Sequence, residues 1–236
     1  MNNLFKPLCK ALAVVALVGV ASSAFANSVK LNVGAYSDSC GGGEFTASGS
    51  GLPTGSYALT TSSSDGSFET FCMAYNEEFV PGTVYEFSLG NSAKSNDSNV
   101  PYSPLTEGTA WLYSQFAAGT LFGYDYTNAD NGRASSALQL QEAIWELQGQ
   151  AAPNGDATYF ITLVDETLGK SVADATATGT ADGVQVMVLT GINGYGTTPY
   201  SQPQLYYNVP DNGTTMLLVA GALFALLGFK RRFKNI

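Results

Sequence analysis

Ala137-Leu138-Gln139-Leu140-Gln141-Glu142-Ala143-Ile144-Trp145-Glu146-Leu147-Gln148 is the stretch on which the fold turns. Its apolar residues recur at helical spacing, with Leu140, Ile144 and Leu147 along one stripe. Ser135 or Ser136 stands where an N-cap belongs, and Gly149 and Pro153 follow where a helix stops. The flanks have another period. Upstream, Val29, Leu31 and Val33 alternate with polar residues as in a half-buried strand, and strand-like segments recur at Phe68 to Phe71 and Thr83 to Leu89, with a turn at Pro81-Gly82 between them. Downstream, Val184 to Leu189 and Leu205 to Val209 read as closing strands.

Two further helices accompany the central one. Thr106-Glu107-Gly108-Thr109 caps a helix through Ala110 to Ala118, stopped by Gly119, and Ala157 to Lys170 is the second. Asn91 to Pro104 is polar and proline-bearing and reads as an exposed loop. Gly123-Tyr124-Asp125-Tyr126 opens another loop, whose Asp125, Asn128 and Asp130 miss the one-three-five spacing of a calcium loop. Strands, then two or three helices inserted mid-chain, then strands predict an α+β fold, mostly an antiparallel β-sandwich or sheet.

The two ends carry addresses. Lys6 and Lys10 precede the apolar run Ala11 to Val20, and Ala24-Phe25-Ala26 supplies a small-x-small cleavage pattern, so 1–26 reads as a signal peptide. At the other end, an uncharged apolar run, 215–229, is followed by Lys230, Arg231, Arg232 and Lys234. It is short for a full span, which takes about 20 apolar residues. The cations place the C-terminus on the cytoplasmic side. The sequence therefore divides into the signal peptide, an extracellular domain over 27–208, and a tail over 209–236. The expected location is the cell envelope, surface or matrix, with at least transient membrane anchoring through the C-terminal helix.

Val209-Pro210-Asp211-Asn212-Gly213-Thr214-Thr215, the apolar run and the basic cluster together resemble a PEP-CTERM sorting signal of the VPD-G-T/S type, with Val-Pro-Asp in place of the usual Pro-Glu-Pro. Such tails occur on exopolysaccharide-associated surface proteins of Gram-negative bacteria. The resemblance implies an exosortase-type processing enzyme as a partner and Val209, Pro210, Asp211 and Gly213 as the sorting motif.

Between the ends, four basic residues face eighteen acidic ones, a net charge of −14. Nucleic-acid binding rests on phosphate neutralisation, so nucleic acid is not an expected partner. The chain has no histidine, which removes Ser-His and Cys-His catalysis and His-ligated metal sites. Glu77-Glu78 is an adjacent acid pair of a kind that suggests glycoside hydrolysis. Neighbours on a strand point to opposite faces, so the pair reads as surface charge. No cofactor or metal site is legible.

After signal cleavage two cysteines remain, Cys40 and Cys72, and in an oxidising compartment an even pair reads as a disulfide. A second reading comes from Phe71-Cys72-Met73 taken with Gln141-Glu142-Ala143-Ile144-Trp145. The two motifs resemble those of bacterial surface thioester domains, a likeness that covers 68–148. That resemblance implies a Cys72–Gln141 thioester, with Trp145, Trp111 and Tyr75 as its shield. It also implies covalent adhesion to a surface protein, a glycan or an exopolysaccharide. One bond per molecule is attachment rather than turnover, so no enzyme is expected. The competing class is a non-reactive matrix or coat protein held by a Cys40–Cys72 disulfide.

Overall fold

The computed structural model describes residues 27–37, 42–50, 67–75, 77–94, 102–127, 131–150, 157–178, 181–190 and 200–208. The strands are β1 (Ser28–Ser37), β2 (Gly43–Ser50), β3 (Phe68–Thr70), β4 (Val84–Gly90), β5 (Ser92–Lys94), β6 (Tyr102–Pro104), β7 (Val184–Thr190) and β8 (Tyr200–Tyr207). The helices α1 (Glu107–Ala117), α2 (Gly132–Leu147), α3 (Thr158–Leu168) and α4 (Lys170–Ala173) lie between β6 and β7. This is the α+β architecture that the change of period predicts.

Six strands form one antiparallel sheet in the order β3-β2-β1-β4-β7-β8. Its two edges meet. Beyond β3 the chain runs alongside β8, where Leu205 N–H donates to Phe71 O and Met73 N–H to Pro203 O, both at 3.0 Å. Thr70 Oγ1 adds a 2.6 Å bond to Leu205 O. Closure satisfies edge groups that would otherwise template aggregation. The turn at Pro81-Gly82 is of the expected kind. Gly82 takes φ +80, which the third position of a type II turn demands, and Thr83 N–H bonds Val80 O at 3.2 Å.

The helices lie over the seam of the closed sheet, α2 against β1 and β2 and α1 against β7 and β8. Phe71 meets Tyr113 and Phe116 of α1 edge-on, and Tyr113 Oη donates to Glu69 O at 3.0 Å. Leu140 and Ile144 of α2 are fully buried and Leu147 nearly so, as their stripe requires. Each such side chain contributes about 1.5–3 kcal/mol of burial. Thr106 caps α1, its hydroxyl accepting from Thr109 N–H at 3.3 Å.

Four local expectations are corrected. α2 begins at Gly132, not after Ser135 or Ser136, and its N-cap Asn131 sits at φ 59 with no side-chain cap bond. The extra turn brings Arg133 onto the sheet, while Ser136 Oγ accepts from Asp125 N–H at 3.1 Å. The polar segment 91–104 is not loop throughout: β5 and β6 pair as a hairpin at its two ends, with Ala93 buried. β8 starts before Leu205 and runs through Pro203, which lies where the β7–β8 register shifts, a place in a sheet that tolerates proline. Val33 is 55% exposed rather than turned inward, at the last paired position before the β1–β2 register shifts.

Candidate functional site

The seam positions Cys72. It faces Gln204 across an isolated antiparallel bridge. The flanking bonds, Met73 to Pro203 and Leu205 to Phe71, make this a non-hydrogen-bonded pair, so the Cys72 N–H and C=O point away from β8. Gln141 takes both of them. Cys72 N–H donates to Gln141 Oε1 at 3.0 Å, and Gln141 Nε2 donates to Cys72 O at 2.7 Å. The carboxamide thus stands in for one residue of a further strand. Both residues are 0% exposed. Gln141 is not a solvated helix residue. Residues 69 positions apart in the chain are thus brought together.

The surroundings are close-packed. Gly42 lies over the Gln141 stem, where an added Cβ would come within 3.4 Å of Gln141 Cγ and 3.3 Å of Trp145 Cη2. Trp145, one helical turn beyond Gln141, is buried and meets Tyr75 edge-on at 4.9 Å between ring centroids. Tyr75 is 54% exposed and forms the outer wall. Trp111 is half-buried on α1, and among the described residues it makes no ring contact or side-chain hydrogen bond with the pair.

The Cys72 thiol is free. It donates to Ala74 O at 2.9 Å and accepts from Ala74 N–H at 3.2 Å. Burial pushes its pKa up to about 12, against the Trp145 indole and the Ala74 N–H, which favour the thiolate, while the Glu77 carboxylate nearby adds to the rise. The indole nitrogen of Trp145 is buried and has no hydrogen-bond partner among the described residues. Burial and charge together keep the sulfur neutral at physiological pH. Cys40 and the sorting-motif and anchor residues Val209, Pro210, Asp211, Gly213, Lys230, Arg231, Arg232 and Lys234 lie outside the described residues, as do the signal peptide and the segment 215–229. Among the described residues no helix is long and apolar enough to cross a membrane, and no cluster of metal-binding side chains occurs.

Sequence reasoning missed a second polar centre. Glu44 on β2 is fully buried and binds Arg133 of α2 through both carboxylate oxygens, at 2.8 and 2.9 Å. The Tyr124 hydroxyl donates to the same carboxylate, and the Arg133 guanidinium lies 4.6 Å from the centre of the Tyr36 ring. Glu69, on β3, accepts from Thr46 Oγ1 and approaches Gly34, where an added Cβ would sit 3.4 Å from its Oε2. Burial and the Glu44 charge raise its pKa to about 7, opposed by Thr46 and Arg133. The available signal was that Arg133 is the one arginine between residues 27 and 209. The Glu77-Glu78 pair divides: Glu78 is exposed, as surface charge should be, whereas Glu77 is buried with its carbonyl accepting from Gln202 Nε2 at 2.7 Å.

The VPDSG-CTERM motif matches residues 208–233, with Asn212 where that description has serine. The match begins one residue after β8 ends and identifies a PEP-CTERM-like sorting signal on an exported, surface-sorted protein. No curated protein and no solved structure matches the chain.

Proposed function

We propose that the domain is a covalent attachment module in which Cys72 and Gln141 condense to an internal thioester. The observation that carries this reading is the two-point grip of the Gln141 carboxamide on the main chain of Cys72. The residue that bears the sulfur also holds the acyl carbon, so proximity replaces encounter. Cys72 N–H polarises the carbonyl to be attacked and stays on its oxygen as charge develops there, an oxyanion-type contact. The sulfur adds to Gln141 Cδ, the C–N bond breaks, and nitrogen leaves as ammonia carrying the thiol proton. The product is an acyl group walled by Trp145 and Tyr75. A nucleophile on the target then displaces the sulfur, forming one bond to the Gln141 acyl carbon and restoring the thiol. Each molecule reacts once, so the protein is an adhesin and not an enzyme. The target class is a surface protein, glycan or exopolysaccharide, reached after processing by an exosortase-type enzyme.

One observation favours the non-reactive alternative. Both polar atoms of the carboxamide and the thiol already have partners, which is how a purely structural clamp looks. Intact mass decides between the two. Attachment chemistry requires the purified protein to lack the mass of one ammonia and to take up methylamine at Gln141, with both effects gone in Cys72→Ala. A full-mass protein inert to methylamine is a structural matrix or coat protein.

A further inference from the structure

A second glutamine reaches the same stretch of chain. Gln150 Oε1 accepts from Tyr75 N–H at 2.9 Å, and its Nε2 donates to Met73 O at 2.7 Å and to Ser103 Oγ at 3.0 Å. Its two main-chain partners belong to the two peptide units that grip the thiol. The Met73–Ala74 unit presents its N–H to the Cys72 sulfur and its C=O to Gln150. The Ala74–Tyr75 unit accepts the thiol hydrogen on its C=O and presents its N–H to Gln150. One carboxamide therefore fixes both peptide planes from behind, and hydrogen bonds in series through a peptide unit polarise one another.

The helix end aims Gln150 there. Gly149 N–H bonds Glu146 O at 2.9 Å and Gln150 N–H bonds Trp145 O at 3.0 Å, with Gly149 at φ +66. This is a Schellman cap, whose left-handed residue favours glycine and turns the chain back along the helix. Gln141 and Gln150, from one helix and its cap, thus hold successive parts of the 72–75 segment.

We infer that Gln150 is a positioning residue that orients the Cys72 thiol; its bearing on reactivity rests on the thioester reading above. Gln150 touches neither the sulfur nor the acyl carbon in any hydrogen bond and acts through Ala74. Removing it releases the Met73–Ala74 plane. Among the described residues, the Ala74–Tyr75 plane is then held on this side only by Glu77 N–H on Ala74 O at 3.4 Å. Misplacement of a nucleophile by about an ångström costs up to about a hundredfold in rate.

The test uses the full chain with Gln150→Ala and Gln150→Glu, the latter keeping the acceptor for Tyr75 but losing the donor to Met73. Two quantities are read: the rate of ammonia loss by intact mass, and the Cys72 S–H stretching band by Raman difference against Cys72→Ala. The band is read in a Gln141→Met background, where the thiol is not consumed. The expected result is ammonia loss slowed about ten- to a hundredfold in Gln150→Ala, less in Gln150→Glu, with the S–H band shifted in both. Wild-type rates with an unmoved band overturn the inference. So does a slowed reaction with an unmoved band, because Gln150 then acts only on general stability. If the wild type itself keeps its ammonia, the thioester reading falls by that measurement alone. The band shift still decides whether Gln150 orients the thiol.

Discussion

α2 is fastened to the sheet at two places, and the fastenings are chemically opposite. Near its start, Arg133 meets Glu44 as a bidentate ion pair within a cluster of tyrosines. Two turns later, Gln141 meets Cys72 through neutral hydrogen bonds alone. A buried ion pair is held by mutual need, since either partner left alone is a desolvated charge. A carboxamide on a peptide carries no such penalty and leaves its carbon electrophilic. The charged fastening therefore suits permanence, and the neutral one can change its bonding without stranding a charge.

The sharpest way to break this contrast is Glu44→Ala. It removes the carboxylate that Arg133 meets through two oxygens, and the expected loss is about 3–5 kcal/mol of unfolding free energy, read from denaturant midpoints. Gln141→Ala should cost less, about 2–4 kcal/mol for two orphaned backbone groups, and should abolish any methylamine uptake. A cost equal to that of Glu44→Ala would mean that the neutral fastening is no softer than the charged one. The third test is pH. The Glu69 pKa is raised from 4.5 to about 7 in the folded state, so between those values the folded chain holds a proton that the unfolded chain has lost. Stability from this group is therefore full below pH 4.5 and declines as pH rises to about 7, by roughly 3 kcal/mol at most. Glu69→Gln should flatten that decline in thermal melts taken from pH 5 to 8. The smallest effect belongs to Glu78→Gln, an exposed acid, with a change within about 0.5 kcal/mol.

The two fastenings also differed in how far the sequence disclosed them. Gln141 and Cys72 sit in short motifs with aromatic and apolar neighbours at fixed offsets, so local pattern pointed to both. Glu44 and Arg133 are single residues 89 positions apart, each in unremarkable company, and nothing local says that they meet. The same distinction runs through the fold. The stripe of Leu140, Ile144 and Leu147 made α2 legible because burial imposes a helical period on consecutive turns. Its first turn was not legible, because Asn131 starts the helix from a left-handed backbone without a side-chain cap and the serines nearby offered a better-looking one. The start of β8 before Leu205 was not legible, because the strand passes through Pro203 at a register shift against β7 that no local pattern announces. Gln150 was invisible for another reason: its role depends on which way two peptide planes face, and composition does not encode that.

Asn208 N–H bonds Gly183 O at 2.8 Å, and the sorting motif begins at that same residue. The sorting motif follows the closing strand directly in sequence. Cys72 pairs with Gln204, near the end of β8. If the protein is held at its C-terminus and a target is bonded to the Gln141 acyl carbon, tension enters through α2 and crosses the Cys72 hydrogen bonds and the Gln204 bridge to the last residues of β8. The strands on the far side of the ring lie off that line of force. The domain would behave under load as a short link rather than as a spring.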